Sequence, residues 1–235
     1  VYRETLENLE GKIYLFVIDE KAENIKKTTV YFEENHILGR CVDIDVYDTE
    51  GNGLSRSQFG YEKRKCLICD EMAFVCGRAM KHSHQEIKNV LMEKYIQYDN
   101  YIIQREKIVK KLGDIAVEAM IFEAATSPSF GLVSPLTQGS HDDMDFFTFL
   151  KSSFAIKEGF EKMARVSYSY LTLEKAFLRT RKIGIETEKT MFEATENINT
   201  HKGMIFLLGI AVVTASRALY EGTSFNDIQP MIKNM

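Results

Sequence analysis

A change of pattern at Ser83 most constrains how this chain can fold. The tetrapeptide S-H-Q-E at 83–86 has capping-box spacing, in which a serine hydroxyl and a glutamate three residues on satisfy the first backbone donors of a helix. No proline follows until Pro128, so a helix begun there meets no obligatory stop, and the pattern downstream is helical. Upstream the signals differ. Residues 12–18 (KIYLFVI), 28–34 (TTVYFEE) and 40–48 (RCVDIDVYD) are rich in β-branched and aromatic side chains and read as strands, with turn chemistry in DTEGNG at 48–53. The expected fold class is α+β: a small mixed α/β N-terminal domain over 1–98, then an all-α helical bundle over 99–235.

Helices are expected at about 84–126, interrupted near 99–104 at the domain boundary, then at 141–168, 172–182, 185–197, 201–221 and 225–234. The helix after Thr200 is apolar nearly all round through 204–215, which predicts the buried centre of a bundle. Its run MIFLLGIAVV is well short of a bilayer crossing. The chain is 45% apolar and 27% charged, with a net charge of −4 and no Lys/Arg block, so no nucleic-acid or membrane partner is expected. No cleavable leader opens the sequence, which points to the cytoplasm. A start at Val1 without methionine and a polar end at Met235 are the pattern of a fragment.

Four constellations carry chemistry. Asp43 and Asp45 are two apart, on one face of the predicted strand, and would suit a divalent cation holding a triphosphate, or else a solvated edge. Cys66, Cys69, Cys76 and His82 give a C-x2-C followed by a third cysteine and a histidine, the donors of a structural zinc or else buried thiols. Ser140 to Asp143 reads as a helix cap, but His141 and Asp145 lie four apart on one face, and Asp142 and Asp143 flank an aromatic row, so metal or catalysis is the competing reading. In NTHKGMIF, Lys202 sits in a first turn, where the helix dipole disfavours a cation. A phosphate bound there, with His201 and Lys202 facing it, would reverse the sign; a solvated lysine is the plainer account.

The segments LGRCVDIDVYD, GLSRSQFG, RKCLIC and CGRAMKHSHQEI resemble the C-terminal part of the apo-citrate lyase phosphoribosyl-dephospho-CoA transferases. EAATSPSFGLVS, GSHDDMDFFTFLKSS, IGIETE and NTHKGMIFLLG resemble the N-terminal part of the triphosphoribosyl-dephospho-CoA synthases, in the order of bifunctional fusions. The resemblance implies that ATP is joined to 3'-dephospho-CoA with loss of adenine. The product is then passed to a serine of the citrate lyase acyl carrier protein, the gamma subunit, with loss of pyrophosphate. It further implies Mg2+ at Asp43 and Asp45 and again at Asp143 and Asp145 beside His141, phosphates near His201, Lys202 and Gly203, and a triphosphate at Arg40 and Arg56. Glu123 or Asp145 would stabilise charge at the ribose carbon that loses adenine. Residues 127–134 lack a lysine and an aspartate that the synthases usually carry there. Two other readings stand beside this one: a helical metal-dependent phosphohydrolase with a small zinc module, and a non-enzymatic zinc-stabilised interaction module.

Overall fold

In the computed structural model, which describes residues 1–9 and 11–233, the strand-like region upstream of Ser83 becomes one hairpin and one helix. Strand β1 (Tyr2–Asn8) pairs antiparallel with β2 (Gly11–Val17), Tyr2 opposite Val17 and Asn8 opposite Gly11. The sequence reading found β2 and missed β1, whose alternating acidic residues mask its pattern. The expected strand at 28–34 is instead part of α1 (Ala22–Asn35), because the residues that bury are Lys26, Val30 and Glu33, a spacing of four and three that only a helix places on one face. The expected strand at 40–48 is a 3-10 turn, Gly39–Cys41, followed by extended chain in which the alternation survives at one position. Val46 is buried while Asp43 and Asp45 are exposed, and only a single bridge, Tyr47 to Gly53, pairs it.

Helix α2 (Ala73–Arg78) precedes α3 (His84–Ala125). The capping box forms: Glu86 Oε2 accepts from the Ser83 N–H at 2.8 Å, and Ser83 Oγ accepts from the Glu86 N–H at 3.2 Å. The chain divides into two compact units, Val1–Asp99 and Asn100–Met235, yet α3 passes the division without the expected break. Aspartate and asparagine inside a helix cost only about half a kcal/mol each against alanine, too little to stop one that meets no glycine or proline there.

The second unit continues with α4 (Phe146–Ala155), α5 (Lys157–Ser167), α6 (Leu173–Ala194), α7 (Lys202–Glu221) and α8 (Ile228–Lys233), the last after a 3-10 turn at Phe225–Asp227. The sequence reading merged α4 with α5 and split α6 in two; the end of its last helix, residue 234, lies outside the described residues. Phe160, Met163 and Ala164 of α5, Met191 of α6, and Ile205, Val212 and Val213 of α7 form one core with Val109, Ala116 and Met120 of α3. Helices α5 and α6 approach closely at Gly159, where a Cβ would overlap the buried Thr187 side chain. Helices α5 and α7 are tied by reciprocal bonds, Ser167 Oγ to the Val213 carbonyl and Ser216 Oγ to the Ala164 carbonyl, each 2.7 Å.

Among the described helices, α7 is long and apolar enough by length and composition to cross a bilayer, more than its apolar run alone indicated. It packs one face against α5 and α6 and leaves Phe206 and Leu207 exposed, so it is buried on one side and not all round. Arg217, 3% exposed, is held within it by the Ser169 and Leu171 carbonyls and by Glu221 at 3.6 Å.

Candidate functional site

In the first unit, residues 64–73 fold back on themselves. The Cys66 N–H donates to the Glu71 carbonyl at 2.7 Å and the Ala73 N–H to the Arg64 carbonyl at 2.8 Å, closing a loop that carries Cys66 and Cys69. Cys76 comes from α2 and His82 from the turn before α3. Their four donor atoms all lie within 4.8 Å of one another, with Cys69 Sγ 3.5 Å from Cys76 Sγ and 3.3 Å from His82 Nε2. No disulfide links them, and Cys41 stands outside the group. Backbone N–H groups of Ile68 and Cys69 directed at Cys66 lower its thiol to about 6, while burial and then shared hydrogen bonds with Cys69 and Cys66 push Cys76 up to about 12. Three crowded sulfurs cannot all ionise without a cation among them.

A cavity of about 340 Å³ opens beside this cluster, within the range of small-ligand pockets. Cys66 and Cys69 form part of its lining. The cations Arg40, Arg56, Lys63 and Lys65 surround it, with the acids Glu34, Glu62 and Asp70. Gly39 positions Arg40: a Cβ at Gly39 would overlap the Phe32 and Glu33 carbonyl oxygens, so only glycine lets the 3-10 turn lie against the end of α1. The Arg40 guanidinium donates to the Lys65 carbonyl, which ties two of the lining residues together. Arg56 is fixed by Glu33 at 3.4 Å and Glu34 at 3.1 Å, with Glu33 only 7% exposed. Burial, then the like charges of Arg64 and Arg56, hold the Arg40 guanidinium below its ordinary value. A phosphate chain would relieve that repulsion and accept from several of these donors at once.

Asp43 is exposed and paired with Arg64 at 2.6 Å; Asp45 is exposed on the same extended segment. The run Lys63-Arg64-Lys65 was missed by the sequence reading, which saw no cationic block. Its signal was three consecutive cations immediately before the C-x2-C pair.

In the second unit the sequence-predicted residues are spread over three places. Glu123 is exposed in the last turn of α3. His141 Nδ1 and Asp143 Oδ1 are 3.8 Å apart on an exposed loop. Asp145, not Ser140, caps α4: its Oδ1 accepts from the Thr148 N–H and hydroxyl, both at 2.8 Å, and the Thr148 bonds hold its carboxyl below the usual range. Asp142 lies on the exposed loop. At α7, His201 is the cap residue and is 2% exposed. Its Nδ1 is 2.8 Å from Ser152 Oγ, its ring packs edge-on against Phe149, and its Nε2 has no protein partner among the described residues. Burial pulls its pKa down to about 4, so the ring is neutral at pH 7. Lys202 pairs with Glu188 at 2.7 Å, and Gly203 is exposed beside it. Among the described residues, only the cysteine–histidine group brings three or more metal-donor atoms together.

The fold is that of an α+β protein whose first unit carries a cavity lined by four cations and three acids and whose second is a helical bundle. Residues 1–98 match the family model of the apo-citrate lyase phosphoribosyl-dephospho-CoA transferases, and residues 109–233 that of the ATP:dephospho-CoA triphosphoribosyl transferases. The second match covers more than half of the chain, which therefore belongs to the ATP:dephospho-CoA triphosphoribosyl transferase family. Protein CitXG of Leuconostoc mesenteroides is 34% identical over 98% of this chain and 50% of its own length. Protein CitXG of Haemophilus influenzae is 33% identical over 92% of the chain and 46% of its own. A 2-(5''-triphosphoribosyl)-3'-dephosphocoenzyme-A synthase of Haemophilus ducreyi is 31% identical over 64% of the chain and 45% of its own. The chain spans about half the length of these relatives.

Proposed function

We propose that this chain takes part in making and attaching the citrate lyase prosthetic group, with residues 1–98 as the C-terminal part of the transferase domain and 99–235 as the N-terminal part of the synthase domain. The observation that carries this reading is the pairing of the two transferase-family matches, in tandem order, with a cationic cavity in the first unit.

In the synthase step a ribose hydroxyl oxygen of 3'-dephospho-CoA attacks C1 of the ATP ribose. The bond to adenine breaks, and adenine leaves with the proton. The positive charge that builds at that carbon calls for a nearby carboxylate. Glu123 suits this better than Asp145, whose Oδ1 is already engaged in capping α4. In the transfer step the serine oxygen of the citrate lyase acyl carrier protein attacks the phosphorus nearest the ribose, pyrophosphate leaves with the bridging electron pair, and the serine proton passes to the departing pyrophosphate or to water. Arg40, Arg56, Lys63 and Lys65 would receive that charge. Bound Mg2+ would neutralise the triphosphate in both steps, with Asp43 and Asp45 as its donors in the first unit, and Asp143 and Asp145 beside His141 in the second. Asp45 and Asp143 are exposed, whereas Asp43 would have to exchange Arg64 for the ion and Asp145 would offer it only the oxygen not used in capping α4. The exposed Lys202 and Gly203 would line the phosphate end of the second site, while His201, buried against Ser152 and Phe149, would hold the start of α7 rather than meet the phosphate. No reacting atom in either step needs the cysteine–histidine cluster, so a metal held there would be structural. Use of ATP as a substrate would suit a cytoplasmic protein.

The folded chain incubated with Mg2+, ATP and 3'-dephospho-CoA should release adenine, detected by mass spectrometry, and Glu123→Gln should slow release by about a hundredfold. Release by E123Q at the parental rate removes Glu123 from the role.

A further inference from the structure

We infer that Cys66, Cys69, Cys76 and His82 bind one structural zinc ion, and that this ion fixes a wall of the cationic cavity so that polyphosphate binding depends on the metal. The inference rests on the proposed reading only in taking the cavity as a polyphosphate site.

Three thiolates and an imidazole form a closed tetrahedral donor set with no open position, which is a structural and not a catalytic arrangement. Donors at tetrahedral positions about 2.3 Å (sulfur) and about 2.0 Å (nitrogen) from zinc stand roughly 3.4–3.8 Å apart. The separations of 3.5 Å between Cys69 and Cys76 and 3.3 Å between Cys69 and His82 lie near that range, and they are far longer than a disulfide. The Ile68 N–H directed at Cys66 Sγ, at 3.4 Å, is the outer-shell hydrogen bond that steadies a thiolate ligand.

The coupling follows from which residues are shared. Cys66 and Cys69 line the cavity and belong to the cluster, and Lys65 precedes Cys66 directly. Arg40 takes its orientation from the Lys65 carbonyl. The loop that carries these groups is closed by a single bridge, Lys65 to Met72, with the backbone bonds of Cys66 and of Ala73 at the start of α2, and it lies outside the hairpin and the helices. The side chain of Cys69 reaches α2 and the turn before α3 only through long contacts of its Sγ with Cys76 and His82, and an ion among the four donors would turn these into coordinate bonds that also take in Cys66. Zinc therefore does for this loop what a hydrophobic core does elsewhere.

The test is metal analysis of protein purified under reducing conditions, followed by titration with magnesium pyrophosphate, so that free pyrophosphate does not strip the ion. About one zinc per chain is expected, together with the visible absorption of a thiolate-rich tetrahedral site after exchange for cobalt. Removing the ion, or the double variant C69S/C76S, should weaken pyrophosphate binding by at least about tenfold. Arg40→Gln should weaken it while keeping the zinc, which separates loss of the cavity from loss of the metal. Less than about a tenth of an equivalent of zinc, with no cobalt spectrum, overturns the site. So does a Cys69–Cys76 disulfide in the reduced preparation. Full zinc whose removal leaves pyrophosphate affinity unchanged overturns the coupling. None of these readouts requires turnover, so they stand apart from adenine release.

Discussion

His201 joins a surface role suggested by its spacing to a buried position, and its titration makes the burial measurable. Its folded pKa, about 4, lies below the ordinary value of 6.5 because burial disfavours the imidazolium. As pH falls through 6.5 the unfolded chain takes up the proton first, so stability is lost between about 6.5 and 4 and levels off below. The loss is on the order of 3 kcal/mol. Thermal unfolding followed across that window should show the decline, and His201→Leu should flatten it. An unchanged slope in the variant would place the titration elsewhere. At the cavity, Arg56→Gln should weaken pyrophosphate binding by about tenfold, read by titration calorimetry, because a charge-assisted donor is removed. The cysteines and arginines were legible as residues because their chemistry is scarce and their spacing short. The burial of His201 was not, since it depends on Ser152 and Phe149, some fifty residues away.

Among elements, the outcome followed from which force decides each one. The capping box at Ser83 and the helices around α7 could be read because caps and apolar periods are local. The segment TTVYFEE could not, because its β-branched propensity lost to the burial of Lys26, Val30 and Glu33 on one helical face. RCVDIDVYD has strand alternation without a neighbouring strand to pair with, and pairing cannot be read from one segment. The expected break in α6 fell at Gly184, which the bundle keeps helical. The contact between α5 and α6 is tight enough to test. Gly159→Ala places a methyl group on the buried Thr187 side chain and should destabilise the protein by about 1–3 kcal/mol in denaturant unfolding, and Thr187→Ser should relieve part of that loss. A stable G159A protein would mean the helices separate freely there.

For the molecule as a whole, the change of pattern at Ser83 carried the fold class, and the ordered motifs carried the family. The extent of α3, which runs through the division between the units, was hidden because nothing local marks a helix that simply continues. The tandem reading makes one joint demand on the two units. In a single vessel, the folded chain with Mg2+, ATP, 3'-dephospho-CoA and apo acyl carrier protein of citrate lyase should release adenine and then pyrophosphate. The intact mass of the carrier protein should rise by the phosphoribosyl-dephospho-CoA unit. Neither adenine nor any mass increase, from protein shown by circular dichroism to be folded, would contradict the account.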